Sequence, residues 1–120
     1  MSLTQFRHGS STFSGRLRAA SENADLGPVE LARVLGSSDR TIRRWLDGET
    51  VPRQADRERA LEVVVVLEEL ARVFKPEGAA NWLFAPNQAF DFAKPVDLLA
   101  VGDYREVVGV IEALGEGVFV

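Results

Sequence analysis

Between Gln54 and Lys75 the chain runs for about 20 residues without a glycine or a proline, and four consecutive β-branched residues, Val63 to Val66, stand in its middle. Whether this segment is a strand or a helix decides the fold. Four valines suit a buried strand. The uninterrupted length and the absence of a hairpin turn on either flank favour a helix. So do Glu68 and Arg72, four residues apart and placed to pair along a helix surface. The segment is therefore read as one long helix, apolar nearly all round in its middle and buried as a central pillar.

Shorter helices are expected around it. Ser14 to Asn23 reads as a first helix. After Gly27, Pro28 opens a second, since a proline at the first helical position gives up only an N–H that would have gone unpaired. This second helix places Val29, Leu31, Ala32, Val34 and Leu35 on or near one face, and Gly36 ends it. Ser38 offers a hydroxyl to cap the next helix, in which Ile42, Trp45 and Leu46 point inward and Arg40, Arg43 and Arg44 point outward. Trp45 is a core anchor at this spacing rather than an exposed base-stacking ring. Beyond the pillar, Pro76 opens a short helix that Pro86 stops, Pro95 starts another, and Asp103 with Glu106 marks a capping-box-like start for the last. Tyr104, Val107, Val108, Ile111 and Leu114 form its apolar stripe. Phe90 and Phe92 suggest a connecting loop packed against the body. The fold class is all-α, with one unit over residues 12–53 and a second over 54–120 that share the long helix.

Composition narrows the functions. There is no cysteine, hence no disulfide, no thiolate ligand and no cysteine nucleophile. The single histidine, His8, lies in a polar N-terminal stretch expected to fray. No nucleophile with its base, no phosphate-cradling glycine loop and no metal cluster can be assembled, so neither an enzyme nor a cofactor is expected. The longest apolar run, Val63 to Leu67, is far shorter than the roughly 20 residues of a membrane span, and no signal sequence precedes it, so a cytoplasmic protein is expected. The net charge of −4 is unevenly spread. Residues 28–59 hold seven arginines against six acids, whereas 60–120 hold four basic residues against ten acids. The two ends suit different partners.

A helix-turn-helix needs a small residue where its helices approach, a turn residue free to take an unusual backbone angle, and apolar anchors on the second helix. Ala32, Gly36, Ile42 and Trp45 stand in those roles. The stretch LARVLGSSDRTIRRWLDG resembles the Xre-type helix-turn-helix of bacterial repressors. That resemblance implies that Ser38, Arg40, Thr41, Arg43 and Arg44 face DNA, where arginine can pair with guanine edges and hydroxyls fix phosphates. The plainer reading is a solvated arginine face. Asp39 and Asp47 weaken the patch, so a dimer or higher assembly is expected if it represses transcription.

From the long helix onward the chain resembles the toxin-binding domain of the Xre/MbcA/ParS antitoxin family. The resemblance is carried by Asn81-Trp82, Ala85-Pro86-Asn87, Ala89-Phe90, Lys94-Pro95, Asp97-Leu98-Leu99, Gly102, Val107-Val108, Ile111 and Gly117-Val118-Phe119. It implies a RES-domain toxin as partner, an NAD-consuming enzyme held inactive by its antitoxin. It does not by itself imply repression of the antitoxin's own operon, for which the helix-turn-helix is the only ground. The toxin-contacting candidates are Trp82, Asn87, Lys94, Glu116, Gly117, Val118, Phe119 and Val120. An apolar chain end bearing a carboxylate makes a good plug for a pocket, although Phe119 folding back on its own core would also satisfy it. Trp82, Asn87 and Lys94 serve equally well as structural pins. Many family members carry a glycine-rich turn before the Lys-Pro step, whereas this chain has Asp91-Phe92-Ala93, so a different packing of that loop is expected. A second function fits the same residues: a helix-turn-helix transcriptional regulator whose C-terminal half only dimerises.

Overall fold

The computed structural model describes residues 12–117. Among these, every regular element is helical: α1 (Phe13–Asn23), α2 (Pro28–Leu35), α3 (Asp39–Leu46), α4 (Gln54–Val73), α5 (Pro76–Phe84), α6 (Pro95–Ala100) and α7 (Tyr104–Gly115), with a 3-10 turn at Gln88–Phe90 between α5 and α6. The four valines lie inside α4. Val63, Val64 and Val66 are buried together with Ala60, Leu67 and Leu70, while Val65 is partly exposed. The pillar is thus covered on most but not all of its circumference, by α1 on one side and α7 on another. Leu17 and Ala20 of α1 and Val107 and Ile111 of α7 join the same core, which continues through Leu31, Val34 and Leu99.

The helix boundaries follow local chemistry. Thr12 caps α1 by accepting from the Gly15 N–H, and the helix begins one residue earlier than expected because Phe13 is buried, edge-on to Trp45 at 5.9 Å between ring centroids. Nothing in the polar stretch around Phe13 marks it as a core residue. Proline opens α2, α5 and α6. At the start of α2 the Glu30 carboxylate accepts from the Gly27 N–H at 2.9 Å, closing the entry. Gly36 ends α2 in the left-handed region, φ +65°.

Several local expectations need correction. Val29 is exposed, because the buried face of α2 is set by Leu31, Ala32, Val34 and Leu35 further along the helix. Glu68 does not pair with Arg72: it turns toward α1 and holds the Arg16 guanidinium through two bonds of 2.9 and 3.0 Å. This hydrogen bond raises the Arg16 pKa above its ordinary value. Arg72 instead meets Glu69 at 3.5 Å. Asp103 precedes α7 but makes no side-chain cap. The aromatic loop is divided in its behaviour, with Phe90 buried and Phe92 66% exposed.

Candidate functional site

The described surface presents two candidate regions, one on α3 and one around the α5–α6 connection and the end of α7. In the first, α2 and α3 pack against each other across the short turn Gly36–Ser38. Ser38 caps α3 through its hydroxyl, which accepts from the Thr41 N–H at 3.1 Å and also bonds the Thr41 hydroxyl at 3.0 Å. Both hydroxyls are therefore already engaged in fixing the start of the helix. Ile42 and Trp45 anchor α3 inward, which leaves Arg40, Arg43 and Arg44 exposed. Two of these arginines are met by acids. Arg43 Nε lies 3.5 Å from Asp39, and Arg44 Nε donates to Glu49 at 3.1 Å. Arg40 has no ion-pair partner among the described residues. The five predicted residues do lie together on one short helix and its cap, and the local field of the patch is partly cancelled by Asp39 and Glu49.

The turn is held from behind by the other half of the molecule. A β-carbon added at Gly36 would lie 3.1 Å from the Ala100 carbonyl oxygen at the end of α6. Arg59 of α4 donates to that same carbonyl and to the Leu99 carbonyl at 3.0 Å, satisfying oxygens that the helix terminus leaves open. Arg33 of α2 pairs with Asp97 of α6 at 3.1 Å and stacks over the Phe84 ring at 5.6 Å. Sequence reasoning missed both arginines. Arg33 lies in the helix-turn-helix stretch but not among its groove-facing candidates, Arg59 lies outside it, and their partners stand 64 and 40 positions away in the chain.

In the second region, Trp82 is half-buried between Phe74, at 6.3 Å, and Phe90, at 6.1 Å. Asn87 caps the 3-10 turn, its side-chain oxygen accepting from the Ala89 N–H at 2.9 Å. Lys94 is half-buried at the entry to α6. For Trp82 and Asn87 these contacts are those of structural pins. Glu116 and Gly117 are exposed at the end of α7, where Gly117 takes φ +71°. Glu116 borders an open groove of about 580 Å³, lined also by Glu69, Arg72, Val73, Ile111, Glu112 and Gly115. Val118, Phe119 and Val120, the apolar part of the predicted plug, lie outside the described residues, as does His8. Among the described residues no cluster of acids and histidines has metal-ligand geometry, and no helix is long and apolar enough to cross a membrane.

Residues 67–117 match the model of the antitoxin Xre/MbcA/ParS C-terminal toxin-binding domain. Over 112 residues the chain is 33% identical to the mycobacterial cidal antitoxin MbcA of Mycobacterium tuberculosis H37Rv, an alignment spanning 93% of this chain and 99% of that one. This chain belongs to the Xre/MbcA/ParS antitoxin family. A second relative, the probable mycobacterial cidal antitoxin Rv3188 of the same strain, is 37% identical over 92 residues, 77% of this chain and 78% of its own. The fold agrees as well. The crystal structure of the M. tuberculosis MbcT-MbcA toxin-antitoxin complex contains a chain that superposes with a TM-score of 0.82 at 33% identity, covering 91% of this chain and 98% of that one. The family's toxin-binding segment begins inside α4 and takes in α5 to α7, so the second region described above lies within it.

Proposed function

We propose that this chain is the antitoxin of a toxin–antitoxin pair, working in the cytoplasm as a binding protein rather than an enzyme. It inactivates a RES-domain toxin that consumes NAD by binding it directly, with Glu116 to Val120 entering the toxin's active site as a plug. The observation that carries this reading is similarity over almost the whole length to an antitoxin that also occurs in a solved toxin–antitoxin complex. Composition supports it: three consecutive apolar residues, Val118 to Val120, follow Gly117 in the sequence, and such a run suits an apolar pocket. Trp82, Asn87 and Lys94 contribute by holding the binding surface in shape.

The arginine face of α3 favours a second activity in the same molecule, binding of its own operator by Ser38, Arg40, Thr41, Arg43 and Arg44. With two of three arginines paired to acids, one copy supplies little phosphate-binding charge, so repression calls for a homodimer or for an assembly with the toxin.

The test is co-expression of the neighbouring open reading frame with the full chain and with a version lacking Glu116 to Val120, following growth, intracellular NAD and co-purification. A stable complex and a protected NAD pool with the full chain, both lost on truncation, is the expected result. A neighbour that is harmless alone and does not co-purify would leave the transcriptional-regulator reading in its place.

A further inference from the structure

The connection between α5 and α6 contains two adjacent non-glycine residues with positive φ, Asp91 at +56° and Phe92 at +69°. Aspartate visits this region with some ease, but a bulky residue such as phenylalanine is an outlier there. The strain is imposed by a closed set of backbone bonds. Asn87 N–H donates to the Ala93 carbonyl at 3.1 Å, while the Asn87 carbonyl accepts from Phe90 at 3.0 Å and from Phe92 at 2.9 Å. Asp91 donates to Gln88, and Ala93 donates to Phe90, each at 3.1 Å. The Asn87 side chain adds its bond to Ala89, and the whole loop is seated by the buried ring of Phe90 against Trp82.

All this order serves to hold the Phe92 ring out in water. Val51 and Val101 are just as exposed, but they are smaller and lie in ordinary backbone. A strained loop with a closed set of backbone bonds that displays an aromatic ring has the character of a preorganised anchor, since the backbone carrying the ring is ordered before any partner arrives. Phe92 lies inside the segment that matches the family's toxin-binding domain, on the same connection as Asn87 and Lys94. From these observations we infer that Phe92 is a hot-spot contact for the toxin, entering an apolar pocket on it at a site separate from the C-terminal plug. This rests on the toxin-binding reading above and names a second anchor within it. It also gives Asn87 and Trp82 a purpose beyond stability, because together they aim the ring.

The measurement is the affinity of the purified full-length chain for the neighbouring toxin, rendered catalytically inactive so that it can be produced alone. Phe92→Asn removes the ring while tolerating the positive φ, and Phe92→Trp keeps an aromatic ring. Thermal unfolding of each variant accompanies the titration. Phe92→Asn is expected to unfold no earlier than the parent and to bind about 30-fold more weakly, as loss of an aromatic hot spot does. Phe92→Trp is expected to stay within about threefold. If Phe92→Asn binds as tightly as the parent chain, the anchor is refuted while toxin binding stands. If the parent chain itself does not bind, the toxin-binding reading falls and the anchor with it.

Discussion

Replacing Gly36 by alanine tests whether the α2–α3 turn and the end of α6 are locked together as described. Two costs can be worked out. At φ +65° an alanine pays roughly 1–2 kcal/mol for the left-handed conformation. Its β-carbon would also stand 3.1 Å from the Ala100 carbonyl, which cannot yield freely because Arg59 is bonded to it. Displacing that carbonyl weakens a hydrogen bond to a charged group, adding about 1 kcal/mol. The total is about 2–3 kcal/mol, or a fall in melting temperature of roughly 8–12 °C for a domain of this size. Urea unfolding followed by circular dichroism measures the loss. Gly36→Asn separates its two parts, because asparagine accepts the backbone angle but not the contact. Gly109→Ala supplies the control of opposite sign: Gly109 is in the middle of α7 and a β-carbon added there would meet nothing within 4 Å, so alanine stabilises by about 0.5–1 kcal/mol. A Gly36→Asn loss below about 0.5 kcal/mol would refute the lock, since asparagine is spared most of the left-handed cost and keeps the β-carbon that meets the Ala100 carbonyl.

Two further outcomes are expected. Trp45→Ala, which removes a ring only 7% exposed and packed on Phe13, lowers stability by about 3–5 kcal/mol in the same unfolding assay; a change under about 1 kcal/mol would mean that the ring is not a core anchor. The double variant Asp39→Asn with Glu49→Gln frees Arg43 and Arg44 and binds duplex DNA more tightly in fluorescence anisotropy, with a steeper dependence on salt, while stability changes by less than about 1 kcal/mol because both ion pairs are exposed. An unchanged salt slope would show that these arginines do not meet phosphate.

How much of this protein was legible in its sequence depended on the range of the interaction concerned. The all-helical fold, the prolines at helix starts, the Ser38 cap and the left-handed Gly36 are settled within a few residues of chain, where capping, periodicity and backbone freedom act. The long helix was legible despite its valines because no turn interrupts it. The same short-range reasoning brought the α3 arginines into one patch and Trp45 into the core. What it could not settle was which of several local options the packed molecule would take. Glu68 had a partner in reach at Arg72, yet it lies against Arg16 because α1 crosses α4 there. Phe13 looked like part of a polar end until Trp45 gave it a surface to pack on. Phe90 and Phe92 are two residues apart in the same loop, and only the closed hydrogen-bonded turn sends one inward and the other out. Arg33 joined the two halves and Arg59 tied α4 to the end of α6 with no local signal for either partner, since pairings made across 64 or 40 positions depend on how helices are brought together. Local chemistry thus determined the elements and their ends, and tertiary packing decided the partners, because a side chain's choice among charges and rings exists only once the helices have met.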